Sequence, residues 1–202
     1  MSAVSETIVR EYFELHEFLV RQHRKHVGQT RQGGRDDEID FFVLNPHPQT
    51  AEGSLPFALG SAELRFINRA VVVVKGWHTE TFSSARLAST PEIFRFVEQK
   101  VFQQAAKAFG TDGMPMKILV VPTLPQGEQA REESIALLRS KGIDAVIPFR
   151  TMLADLVRET ETNRNYQKSD LLQIIRILKN YDLFREPQLE LFKAKRRSKR
   201  RN

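Results

Sequence analysis

Ala70-Val71-Val72-Val73-Val74-Lys75-Gly76-Trp77-His78 is the stretch around which the rest of the chain can be placed. Five apolar residues in succession, four of them β-branched, predict a strand buried on both faces of a sheet. Lys75 ends the run, so its ammonium group must reach solvent or serve a site. Gly76 then lets the chain turn sharply where the strand leaves the sheet. The stretch reads as a central strand that delivers one amino group to the sheet's rim.

On the N-terminal side, residues 5–26 predict a helix. Ser5 is placed to cap it, Glu6 stands in its first turn, and Ile8, Tyr12, Leu15 and Leu19 recur at helical spacing. A polar, glycine-containing loop over 27–37 follows, with room for the end of a short first strand. Glu38-Ile39-Asp40-Phe41-Phe42-Val43-Leu44 predicts the next strand, stopped by Asn45-Pro46-His47-Pro48. Weak strand character follows around 62–66. After the valine strand a loop runs to Ser89-Thr90-Pro91-Glu92, where a capping residue, a first-turn proline and an acid announce a helix. Its stripe is Phe94, Val97, Val101, Ala105 and Ala108. Met116 to Pro122 predicts a buried strand, Glu128 to Lys141 an amphipathic helix closed by Gly142, and Ile143 to Phe149 the last strand. Helical segments over about 151–163 and 169–183 complete the pattern, the second capped by Ser169-Asp170 with Leu171, Ile174, Ile175 and Leu178 on one face.

Closely connected early strands imply an antiparallel hairpin, and the later alternation of strand and helix implies right-handed parallel crossovers. The fold class is therefore α/β, a mixed central sheet flanked by helices, with extra C-terminal helices. The expected organisation is an α/β core over 1–150, a helical extension packed on it over 151–192, and a basic, disordered tail over 193–202.

The chain has 202 residues, enough for one full-sized core, and is 41% hydrophobic and 28% charged, as soluble globular proteins are. No apolar run reaches the roughly 18 residues of a membrane span, and the N-terminus lacks the pattern of a signal peptide. Cysteine is absent, which excludes disulfides and thiolate metal sites. Together these favour a cytoplasmic protein with no membrane partner. The net charge of +6 is local. Seven positive side chains and no acid fall in residues 193–202, which leaves −1 for residues 1–192. The tail residues Lys195, Arg196, Arg197, Lys199, Arg200 and Arg201 are the candidate nucleic-acid contacts, an electrostatic arm for phosphates on DNA or RNA.

Several chemistries are excluded by pattern. Neither phosphate-loop nor dinucleotide glycine motif occurs, and there is no H-E-x-x-H or nucleophile elbow. The histidines His16, His23, His26, His47 and His78 are scattered, and His23 with His26 reads as a surface pair on the first helix. The remaining constellation is Asp40 on one strand and Lys75 on the next long one.

That constellation resembles the PD-(D/E)XK nuclease superfamily, the restriction-endonuclease-like fold. Glu38-Ile39-Asp40-Phe41-Phe42-Val43-Leu44-Asn45-Pro46 followed by Val71-Val72-Val73-Val74-Lys75-Gly76-Trp77 is similar to the E-I-D…V-E-V-K-G-W pattern of uncharacterised bacterial members. Tyr12-Phe13-Glu14-Leu15-His16-Glu17-Phe18-Leu19-Val20 is similar to their first helix. The resemblance covers roughly residues 5–150. It implies metal-assisted phosphodiester hydrolysis, in which an aspartate and a second acid hold Mg²⁺ and activate a water. The lysine two residues after that acid, about 6.5–7 Å away on the same strand face, orients the water and offsets transition-state charge. Asp40 matches the aspartate, as catalytic and metal-binding residue, and Lys75 the catalytic lysine. A helix glutamate used by some members matches Glu11 or Glu14.

One position departs from the pattern. Where the second acid belongs stands Val73, which cannot bind a cation. Three carboxylates are candidates to replace it. Glu38 shares the strand face of Asp40 by alternation, Glu98 lies on the following helix about 55° from the centre of its stripe, and Glu80 follows the strand in a loop. Trp77 reads as a packing residue at the strand end, and His78 as exposed. The expected function is a nuclease-fold protein associated with nucleic acid whose metal site is degenerate. The alternative is an active Mg-dependent endonuclease with a relocated acid, and a third reading is an unrelated binding domain. A homodimer is compatible with all three.

Overall fold

The computed structural model describes residues 3–22, 39–110 and 114–184, and the chain divides into two compact units, Met1–Glu159 and Thr160–Asn202. The first unit is built on a five-stranded mixed sheet in the order β1-β2-β3-β4-β5, with β1 Leu19–Gln22, β2 Phe41–Leu44, β3 Arg69–Val74, β4 Met116–Val121 and β5 Ala145–Pro148. The valine run is its centre. β3 pairs antiparallel with β2, setting Phe41 against Val72, and parallel with β4, setting Val72 against Ile118. Every residue from Ala70 to Val74 is at most 1% exposed. Burial of each valine side chain contributes roughly 1.5–3 kcal/mol of transfer free energy, so this strand anchors the sheet.

Alternation along β3 divides the core between two faces. Val71 and Val73 join an apolar cluster with Phe82, Leu87, Ile93, Phe96, Val101, Leu119, Leu138 and Val146. Phe82 comes from the loop before α2, and the others from α2 Ser84–Ala88, a 3-10 segment Pro91–Val97, α3 Gln99–Ala106, α4 Glu128–Ser140 and the strands beneath them. Val72 and Val74 turn to the opposite face, where α1 Ala3–Leu15 packs against β3 and against α5 Phe149–Glu159. Beyond β5 the segment Phe57–Leu59 adds a short parallel bridge, the Val146 N–H donating to Phe57 O at 2.8 Å and the Leu59 N–H to Val146 O at 2.9 Å.

Four expectations are corrected. The first helix stops at Leu15, and residues 19–22 are an edge strand paired with β2. Glu17 adopts φ 63°, a left-handed conformation, while the Phe18 N–H returns to Phe13 O at 3.0 Å. This closes the helix without the glycine that would have signalled it. Ser5 lies inside the helix, not at its cap. Residues 61–66 form a 3-10 turn rather than a strand, locked by the Gly60 N–H donating to Glu63 Oε2 at 2.8 Å. The helix expected from Pro91 to Ala108 is broken at Glu98, whose ψ of 135° separates the 3-10 segment from α3. Ile93, Phe94 and Phe96 are all buried. A 3-10 turn eclipses Ile93 and Phe96, whereas an α-helix would set them about 60° apart on its surface.

In the second unit α6, Asp170–Asn180, is capped by Ser169 Oγ accepting the Leu172 N–H at 3.2 Å. The preceding loop is tied to it: Lys179 Nζ donates to Thr160 O at 2.6 Å and Arg176 Nε to Thr162 O at 2.9 Å. Leu172 and Ile175 are its buried pair, while Ile174, expected on the buried stripe, is 54% exposed. Residues 193–202 lie outside the described residues, and no helix among those described is long and apolar enough to cross a membrane.

Candidate functional site

The site begins where β2 ends and β3 continues. Asp40, the residue before β2, donates its N–H to Val72 O at 3.1 Å and so extends the ladder by one step. Its carboxylate then reaches further along β3, and Oδ2 accepts the Val74 N–H at 2.7 Å. That oxygen does the work of the backbone carbonyl a longer β2 would have supplied. Asp40 is 4% exposed, so the bond also satisfies a donor that water cannot reach. Lys75 follows immediately, partly buried, its own N–H donating to Val120 O at 3.0 Å on the other side. The aspartate and the lysine singled out in the sequence thus stand at the same end of two adjacent strands, and Val73 lies between them, 1% exposed in the core.

The turn after Lys75 is held against α1. A Cβ on Gly76 would stand 2.4 Å from Ser5 Oγ and 2.9 Å from Ser5 Cβ, so only glycine fits. His78 contributes to the same contact, with Nε2 hydrogen-bonded to the buried Ser5 Oγ at 3.1 Å and its ring edge-on to Phe149 at 4.6 Å. Trp77 is a packing residue, as its position suggested: it is partly buried against the core, its ring tilted against Phe82 at 5.7 Å, with the Arg86 guanidinium 5.3 Å above it. Arg86 is in turn held by Glu80, Nε to Oε2 at 3.0 Å. This commits one of the three carboxylates considered as replacements.

The other acids are dispersed. Glu98 is exposed at the junction before α3 rather than on the helix, and its side chain makes no capping bond. Glu11 is 6% exposed on α1 with Oε1 3.4 Å from Arg10 Nη2. Glu14 is exposed, and loss of hydration holds its carboxyl above the ordinary range, with Arg10 opposing and Glu11 reinforcing. Glu38, His23, His26 and the tail residues Lys195, Arg196, Arg197, Lys199, Arg200 and Arg201 lie outside the described residues. Among the described residues no three His, Asp or Glu side chains converge to hold a metal ion. The donor set at this end of the sheet therefore does not fit the magnesium centre that the resemblance implies. One Asp40 oxygen is engaged by a backbone donor, and an isopropyl group stands where the second ligand belongs.

A second polar cluster was not foreseen. Asp155 on α5 is 1% exposed and accepts a hydrogen bond from His16 Nε2 through Oδ2, while Oδ1 is paired with Arg158. His16 lies edge-on to Tyr12 at 5.0 Å, and the Tyr12 hydroxyl is 3.2 Å from Ser61 Oγ. Burial pushes the Tyr12 hydroxyl up to about 12, the Ser61 bond opposing and Glu63 adding. Burial holds the His16 imidazole below its ordinary range, against the influence of Glu159 and with that of Arg158. A neutral imidazole donating from Nε2 to a carboxylate that Arg158 already balances is the consistent description. The cluster fastens α1 to α5. No spacing rule joins residues so far apart in sequence, and only the helical phase of Tyr12 and His16, four apart, was visible beforehand.

Compared with known proteins, the chain matches no family model, no curated protein and no solved structure.

Proposed function

We propose that the first unit is a restriction-endonuclease-like core that associates with nucleic acid and has lost phosphodiester hydrolysis at the Asp40–Lys75 end of its sheet. The observation that carries this reading is the engagement of Asp40 with the Val74 N–H at 2.7 Å, beside the strand end that bears Lys75. The acid-bearing strand is the antiparallel neighbour of the lysine-bearing strand, after one helix and before the others, which is the order behind the sequence resemblance. The same geometry argues against catalysis. The aspartate completes the backbone ladder, Val73 belongs to the core, and Glu80 is bound to Arg86. On this reading the carboxylate has kept its place in the fold and serves strand pairing instead of a cation. A cytoplasmic location belongs to the same proposal.

The test is direct. Purified full-length protein is incubated with duplex and single-stranded DNA and RNA, with Mg²⁺ or Mn²⁺, beside Asp40→Ala and Lys75→Ala. The reading expects binding without cleavage in all three proteins. Metal-dependent cutting abolished by both substitutions would restore the enzyme, with a relocated acid. Cutting unchanged by either would remove the site assignment altogether.

A further inference from the structure

The opposite end of the sheet, where β3 and β4 begin and α4 ends, carries a row of cations. Arg69 is the first residue of β3 and Lys117 the second of β4, and the parallel register sets Val71 against Lys117. Arg69 stands two positions before Val71, so Arg69 and Lys117 share a face on neighbouring strands about 4.8 Å apart. Next along the rim, Asp144 joins Lys117 through the Asp144 N–H to Lys117 O at 3.0 Å, and Lys141 and Arg139 follow from the end of α4.

These cations are held mainly by aromatic rings. Lys117 Nζ lies 4.4 Å over Phe102, Arg139 is 5.0 Å over Phe57, and Lys141 Nζ is 5.9 Å from Phe94. Arg69 Nη1 reaches the Phe109 carbonyl at 3.5 Å. A ring or a carbonyl positions a cation without cancelling its charge, as Glu80 does for Arg86 at the other end. Asp144 shares the rim, but its Oδ2 accepts the Lys117 N–H at 2.7 Å. Glu92 and Glu98 flank the segment that carries Phe94.

We propose that Arg69, Lys117, Arg139 and Lys141 form a binding surface for the phosphodiester backbone of a nucleic acid, on the rim opposite Asp40 and Lys75. Cations that follow one another from β3 to β4 to the end of α4 along one rim match a linear chain of phosphates better than the plane of charge a lipid surface presents. The choice of nucleic acid as the polyanion rests on the function proposed above.

The experiment measures binding of a short labelled DNA duplex and the matching RNA duplex to full-length protein across a salt series. Two variants are compared with the parent. One combines Arg69→Gln, Lys117→Gln, Arg139→Gln and Lys141→Gln, and the other replaces the seven tail cations by glutamine. The rim variant is expected to bind at least about tenfold more weakly, with the slope of log K against log salt reduced by about 3 to 4. If the fourfold variant fails to fold, Arg139→Gln with Lys141→Gln is expected to reduce the slope by about 2. An unchanged slope in a folded rim variant, with binding lost in the tail variant, overturns the surface while leaving nucleic-acid association intact. Absence of binding to either duplex at low salt overturns both. Binding to phosphatidylserine vesicles in place of the duplexes overturns the choice of partner, and with it the proposal.

Discussion

The two ends of the central sheet use polar side chains in opposite ways. Where β3 leaves the sheet, Asp40 is buried and bonded to backbone, Ser5 is buried against His78, and Arg86 is neutralised by Glu80. Where β3 enters, Arg69, Lys117, Arg139 and Lys141 are held over rings or by a carbonyl. Desolvation sets the buried Asp40 and Ser5 apart from the rim cations, whereas Arg86, partly exposed over the Trp77 ring, differs from them in having the Glu80 carboxylate as its partner. A buried polar group must find a partner inside the protein, and its loss is felt as instability. A cation resting on an aromatic face in contact with water retains charge for an external partner, and its loss is felt as weaker binding. On the function proposed above, the end that resembles an active site in the sequence serves strand pairing, and the opposite rim is the proposed binding surface.

Mutation can break this contrast. Asp40→Ala should be the most damaging change, leaving the Val74 N–H buried without its carboxylate at a cost of about 3 kcal/mol. Urea denaturation would show it, and a loss below about 1 kcal/mol would mean that the carboxylate is not holding the ladder. A pH titration probes the same principle between α1 and α5. The folded chain keeps the Tyr12 proton up to about 12 whereas the unfolded chain releases it near 10. Stability is therefore intact below pH 10 and lost as pH rises beyond it, by about 2 to 3 kcal/mol. Tyr12→Phe should flatten that alkaline limb, and an unchanged limb would remove the explanation.

Gly76→Ala should cost about 2 kcal/mol, because its Cβ would meet Ser5 at 2.4 Å. A double-mutant cycle with Ser5→Gly should recover much of the loss, and additive losses would show that the contact is not the cause. The acid limb has a definite sign. His16 is held below its ordinary pKa in the folded chain, so its contribution is full at neutral pH and declines as pH falls below about 6.5, where the unfolded chain takes up the proton first. His16→Gln should reduce the acid slope. The smallest effect belongs to the other rim, where Arg139→Gln with Lys141→Gln should change stability by less than about 0.5 kcal/mol. A larger change would erase the distinction between the two ends.

Much of this architecture was legible locally. Consecutive β-branched residues mark a strand buried on both faces, and so β3 and β4 were found nearly to the residue. Capping residues and glycines bounded α4 and α6 because they act within one turn of the chain. Local signals failed at Glu17, whose left-handed turn has no glycine, and at Leu19 to Gln22, where pairing with β2 overrides helical spacing. They failed again at Glu98, where an extended ψ of 135° separates the 3-10 segment from α3 although the local spacing continues a helix.

The sequence alone left Asp40 and Lys75 as an acid and a lysine on two long strands, because strand patterning is a property of neighbouring residues, and Val73 joined them through the resemblance to the nuclease pattern. Whether the aspartate stands beside the lysine, and what it does there, was decided by the antiparallel pairing of β2 with β3, which joins segments 34 residues apart at the Asp40–Val74 bond. The same holds for His16 with Asp155 and for the row from Arg69 to Arg139. Spacing along a chain governs which face a side chain shares with its neighbours. Partners distant in sequence are chosen only when the sheet and its helices pack, since burial then makes each polar group take whichever partner the fold provides.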